Sequence, residues 1–99
     1  PGVPETPTVN LPRELEAVAS MPDSTAALAQ AQIHRLEALD DDARNAPEAT
    51  YTQYRFMRAK ALMNLGDDKA GCDSLHSIQG RLAGTRFEQA AKPLMTYCK

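Results

Sequence analysis

Two cysteines, Cys72 and Cys98, are the residues in this 99-residue chain best able to do chemistry. Three fates are open to such a pair: a disulfide, part of a metal site, or two buried thiols packed as small hydrophobes. His76 lies one helical turn after Cys72, so Cys72, His76 and Cys98 could supply three ligands to a metal, but neither a fourth ligand nor a Cys-x-x-Cys pair stands in the sequence. The same Cys–His spacing would need an orienting acceptor and an oxyanion site to make a nucleophile, and neither is visible. His34 stands beside Arg35 with no Cys, Ser or second His at catalytic spacing and reads as a surface or boundary residue. Asp40, Asp41 and Asp42 point in three directions on a helix and lack the alternating ligands and glycine of a calcium loop. They read as a solvated face at a helix C-terminal end, where negative charge is unfavourable, a hint of fraying or of a basic partner. With no Gly-rich phosphate loop, no paired catalytic carboxylates and no Ser–His arrangement, no catalytic residue, metal or cofactor is expected.

The elements that must position these residues read as helix upon helix. Hydrophobic residues make up 42% and charged residues 24%, the balance of a folded domain. Four of the seven prolines fall in the first twelve residues, which predicts an extended, mobile tail over residues 1–11 and a single helical domain over 12–99. The chain starts at Pro1 and reads as a processed or trimmed form. A first helix is predicted from Pro12 to about Ser20, ended by Met21-Pro22. Asp23 or Ser24 is placed as the cap of a second, which continues to Asn45 with Ala29, Ile33, Leu36 and Ala43 on one stripe, widened by Leu28, Ala31 and Leu39. Pro47, as a first helical residue, opens a third helix that carries two apolar stripes and must therefore sit between neighbours: Phe56, Ala59, Leu62 and Met63 on one side, Tyr51, Tyr54, Ala61 and Leu65 on the other. Gly66 suits the position just past its end. Asp67 or Asp68 caps a fourth helix with Gly71, Cys72, Leu75, Ile78 and Leu82 facing inward. Thr85 caps a fifth, with Phe87, Ala90, Ala91, Leu94 and Cys98 on one side and a kink or break expected near Lys92 because Pro93 lacks a donor. No segment alternates with period two, so the fold class is all-α, four to five antiparallel helices in a hairpin stack or small bundle.

These helices favour one fate for the cysteines. From Cys72 to the turn at Gly84 is 12 residues, roughly 18 Å of helix, and from Gly84 back to Cys98 is 14, roughly 21 Å. Nearly equal arms bring the two sulfurs level across an antiparallel hairpin. Closing that loop would stabilise the fold by about 3–4 kcal/mol in the chain-entropy model and would place the chain in an oxidising compartment, periplasmic or extracellular. Free thiols and a metal remain the alternatives.

The third and fourth helices resemble a tetratricopeptide-type (TPR) repeat over about residues 47–97. Leu65-Gly66-Asp67-Asp68 forms the turn, Ala59 and Gly71 fall at the small positions, and Leu75 falls at the large apolar position one turn on. Gly84-Thr85 and the helix after them look like the solvating helix that closes such arrays, as in periplasmic coordinator proteins of the cell-division and Tol–Pal apparatus. The sequence departs from the repeat in its displaced aromatic, Tyr54, in Ile78 where a smaller residue is usual, and in the absence of a closing proline. The resemblance implies a groove face made of Gln53, Phe56, Lys60, Met63 and Asn64, a mixture suited to a peptide or partner helix. The competing reading packs Phe56 and Met63 into the core.

The functional expectation is a non-enzymatic protein–protein interaction domain, an accessory, scaffold or chaperone-like subunit of a bacterial cell-envelope or secretion assembly, with another protein or peptide as partner. A pilotin-like secretion lipoprotein, tethered through an N-terminal segment, and an immunity protein that neutralises a toxin are the alternatives. The net charge of −2, the absence of Trp and an aromatic content of 5% argue against nucleic acid, and no apolar run is long enough to insert directly into a membrane.

Overall fold

The computed structural model describes residues 10–98, which form α1 (Leu11–Ala19), α2 (Ala26–Ala38), α3 (Asp40–Arg44), α4 (Glu48–Leu65), α5 (Asp68–Leu82) and α6 (Phe87–Tyr97). The described residues contain no strand, and none of their helices is long and apolar enough to cross a membrane. The Pro-rich stretch expected to be a mobile tail lies, up to Val9, outside the described residues.

Side chains that accept an otherwise unpaired backbone N–H mark where helices start. Asn10 Oδ1 accepts from the Arg13 N–H at 3.3 Å, so α1 begins at Leu11, one residue before Pro12, and Leu11 is buried. Thr25 Oγ1 accepts from the Leu28 N–H at 3.2 Å and displaces Asp23 and Ser24 from the predicted capping role. Asp67 Oδ1 accepts from the Ala70 N–H at 3.3 Å and caps α5. Pro47 stands just outside α4 with ψ 152°, extended rather than helical.

The predicted long second helix is two helices broken at Leu39. Asp40, Asp41 and Asp42 therefore occupy the first turn of α3, where the helix dipole favours negative charge, rather than a fraying C-terminus. Only Asp41 and Asp42 are fully solvated. Asp40 accepts a 2.8 Å hydrogen bond from the buried Tyr54 hydroxyl and pairs with Arg44 Nε at 2.7 Å. On α2, Ala31 is exposed and Gln32 is buried in its place; the Gln32 amide donates to the Val18 and Met21 carbonyls at 3.2 Å each, closing the C-terminal end of α1. Of the kink or break expected near Lys92, the break does not occur: α6 runs through Pro93, which is exposed.

The α4–α5 junction is close-packed at Gly71. Gly66, at φ 103°, takes a left-handed conformation that suits glycine. The Gly66 and Asp67 N–H groups donate to the Met63 and Leu62 carbonyls at 3.0 and 2.9 Å, a Schellman closure of α4. The two helices then run antiparallel, and a Cβ on Gly71 would lie 2.9 Å from the Ala59 carbonyl oxygen.

As its two stripes predict, α4 is buried on both sides, but Leu62, placed on the Phe56 stripe, packs with Tyr54 and Ala61 instead. Tyr54, Ala61 and Leu62 join Leu15, Val18, Ile33, Leu36 and Ala43 in a first core cluster with α1, α2 and α3. Phe56 and Ala59 join Leu75, Ile78, Leu82 and Ala91 in a second with α5 and α6. Cys72 and Cys98 form a disulfide across the α5–α6 hairpin, with Cα atoms 5.5 Å apart. The level arms predicted this pairing, and it removes the free-thiol and metal readings for these two residues.

Two outcomes test this arrangement. Cys72→Ser is expected to lower unfolding stability by about 3–4 kcal/mol, read from urea denaturation, because the unfolded chain loses a closed loop between residues 26 apart. Burial and the Asp40 bond raise the Tyr54 pKa, so the folded chain holds that proton to a higher pH than the unfolded chain does. The bond from Tyr54, with the Arg44 charge second among the lowering influences, pulls Asp40 below its ordinary value. Stability from Tyr54 is therefore complete below about pH 10 and falls as pH rises above it, while stability from Asp40 is complete above its ordinary value and fades as pH drops through the lowered one. Thermal melts of Tyr54→Phe across this range are expected to show a flatter pH profile than the parent at both ends.

Candidate functional site

A groove of about 340 Å³ opens between the C-terminal half of α1, the middle of α4 and the first turn of α6. Phe56, Met57 and Ala61 of α4 form the floor with Val18 of α1 and Phe87 of α6. The Phe56 and Phe87 rings meet with centroids 5.4 Å apart at an interplanar angle of 34°, a tilted arrangement favoured by aromatic quadrupoles.

Of the five residues assigned to a groove face, the structure brings three together here. Gln53, Phe56 and Lys60 line the cavity. Met63 and Asn64 lie beyond it: Met63 packs half-buried over Gly71, and the exposed Asn64 amide donates to Asp23 Oδ2 at 3.1 Å. The face is also less open than a TPR-type groove implies. Phe56 is only 5% exposed, so it is a core residue whose edge reaches the cavity floor rather than part of a free apolar patch. The reason is α6, whose Phe87 covers it.

The rim is charged. Arg86 bridges to Glu16 at 3.0 Å and lays its guanidinium over the Phe87 ring at 4.8 Å, joining α6 to α1 across the groove mouth. Both partners of that ion pair are well exposed, so it contributes about 0–1 kcal/mol and can open at little cost. Asp23 stands at one end, held by Asn64. Lys60 is exposed and makes no ion pair among the described residues. Gln32 contributes a buried polar wall while its amide is committed to α1.

The residues that sequence reasoning missed are those that come from far along the chain. Glu16 and Arg86 are 70 residues apart and nothing in their local sequence pairs them. Phe87 and Ala90 carried a signal, since both fall on the predicted inward stripe of the last helix, but inward there means toward the groove as well as toward the core. Outside the groove, His34 and His76 are exposed. Among the described residues no three His, Cys, Asp or Glu side chains gather as a metal site.

Because Phe56 is core, Phe56→Ala is expected to cost about 3–5 kcal/mol in a chemical denaturation curve, the range for a buried aromatic. Lys60→Glu, exposed and unpaired, is expected to stay within about 0.5 kcal/mol of the parent.

Compared with family models, curated proteins and solved structures, the chain matches none.

Proposed function

We propose that this chain is a non-enzymatic protein-binding domain, an accessory, scaffold or chaperone-like subunit that works in an oxidising compartment such as a bacterial cell envelope. The observation that carries this reading is the groove: an aromatic and aliphatic floor of Phe56, Phe87 and Met57 under a rim of Glu16, Asp23, Lys60 and Arg86. An apolar centre ringed by polar and charged groups is the anatomy of a surface that docks another protein.

Two further features support it. Ala59 and Gly71 meet at the close approach of α4 and α5, and the helices turn at Gly66-Asp67, as a TPR-like hairpin unit would have them. Such units act by presenting helical faces to peptides and partner helices. The Cys72–Cys98 disulfide supports the oxidising compartment, since bonds of this kind persist where thiols are not kept reduced.

The test is isolation of the protein from its native source with an alkylating reagent present from lysis onward. Both cysteines are expected to escape alkylation, and two reactive thiols would overturn the compartment. In the same preparation a stoichiometric protein partner is expected with the parent chain and is expected to fall at least about 10-fold with Gln53→Glu/Lys60→Glu, whose two changes turn a rim of balanced charge strongly negative without touching the core. Equal recovery with parent and variant would remove the groove as the binding surface.

A further inference from the structure

The helix that forms one wall of the groove, α6, is for its length the helix least secured by burial. Ala91 is its one fully buried residue, whereas α4 and α5 contribute six and four. Phe87, Leu94 and Met95 pack only partly against the second core cluster. Clefts run along both flanks of α6: the groove on one side and, on the other, a second of about 460 Å³ between Leu82 and Ala83 at the end of α5 and Lys92, Met95 and Thr96 of α6.

On its own, α6 would not hold its shape. Eleven residues are too few for a stable isolated helix in water, and Pro93 removes one of its backbone hydrogen bonds. The helix is fastened at its two ends. At the first end the Thr85 hydroxyl donates to the Leu82 carbonyl at 2.7 Å and accepts from the Phe87 N–H at 3.2 Å. The last end is fastened by the Cys98 disulfide to Cys72, with a 3.2 Å hydrogen bond from the exposed Tyr97 hydroxyl to Asp68 beside it. Both cysteines are half-buried rather than sealed in the core.

We propose that the Cys72–Cys98 bond is a redox latch on the groove: its reduction by a dithiol lets α6 swing away about the Ala83–Arg86 turn, so the redox state of this bond regulates the docking surface. The proposal rests on the reading of that groove as the binding site. In the chemical step a thiolate of the dithiol attacks one sulfur of the pair, the S–S bond breaks and a mixed disulfide forms. The second thiolate of the reductant displaces the protein sulfur, leaving two protein thiols, with protons taken from water, and a cyclic disulfide on the oxidised reductant. Departure of α6 removes Arg86, Phe87 and Ala90 from the groove, breaks the bridge to Glu16, and uncovers Phe56, Ile78 and Leu82. The closed groove that the oxidised chain presents is thereby exchanged for a broader apolar face on α4 and α5.

The experiment is amide hydrogen exchange on the folded chain before and after treatment with dithiothreitol, with the thiols then capped by iodoacetamide. Exchange is followed at rising urea below the unfolding transition. After reduction, amides of α6 are expected to exchange roughly 100-fold faster than before and at a rate that no longer depends on urea, while those of α1, α2 and α4 open only with the whole chain and at a rate that rises with urea. Unchanged protection in α6 would overturn the latch. So would one common urea dependence for all helices, since the bond would then be a general staple. Cys72→Ser/Cys98→Ser is expected to reproduce the reduced pattern, and reduction of the already folded parent keeps the test valid if that variant does not fold. Exchange is read with no partner present, so its failure falls on the latch alone, whereas equal partner recovery with Gln53→Glu/Lys60→Glu falls on the groove reading.

Discussion

The approach of α5 to α4 at Gly71 sets the geometry on which the rest of the fold depends. With no side chain there, the backbone of α5 comes close enough to the Ala59 carbonyl that even one methyl group would meet it at 2.9 Å. Such contact brings Leu75 and Ile78 onto Phe56 and Ala59 and makes a second core from a helix that already carries a first. It also fixes Cys72, the next residue along, and with it the place where α6 must end. A shift of α5 away from α4 would move the disulfide, α6 and one wall of the groove together.

The two cores are secured by different means. The first is larger and has polar bonds built into it: Tyr54 reaching Asp40, Arg44 on the same carboxylate, and Gln32 holding the end of α1. Tyr54 and Gln32 are buried, so their bonds satisfy groups that burial would otherwise leave costly and tie register to packing. The second core is smaller, and its outer layer is the partly buried face of α6. A domain of this size has little apolar surface to spare, and a covalent cross-link at the far end of the hairpin supplies what packing there does not. The groove lies at the seam between the two, where α1 from one and α6 from the other approach over α4 and are joined at the mouth by the Arg86–Glu16 bridge.

That position explains the mixture of side chains at the site. A seam between cores exposes the edges of residues whose bodies are buried, which is why Phe56 is at once core and floor. The rim comes from the solvated sides of three helices and carries both signs of charge, with Arg86 and Glu16 neutralising each other across the mouth. Such a surface discriminates by shape and by the placement of single charges rather than by net field.

Much of the molecule was legible in order along the chain. Apolar spacing of three and four with no period-two stretch determined an all-helical fold, two stripes on one helix determined that it would be sandwiched, and equal arms about Gly84 determined which sulfurs would meet. All are consequences of a 1.5 Å rise and a 3.6-residue turn, which sequence carries in full. What it did not carry were choices between near-equal local options. Thr25 rather than Asp23 or Ser24 caps α2, the predicted long second helix breaks at Leu39 with Asp40 held by Tyr54, and Gln32 rather than Ala31 turns inward, where it bonds the Val18 and Met21 carbonyls. The site divides the same way. Gln53, Phe56 and Lys60 share a helical face by spacing alone, but whether that face was open depended on a helix more than 20 residues away. Only tertiary structure decided that Phe87 would cover Phe56 and that Glu16 and Arg86, 70 residues apart, would close the rim, because helical periodicity says which way a side chain faces and nothing about what it will face.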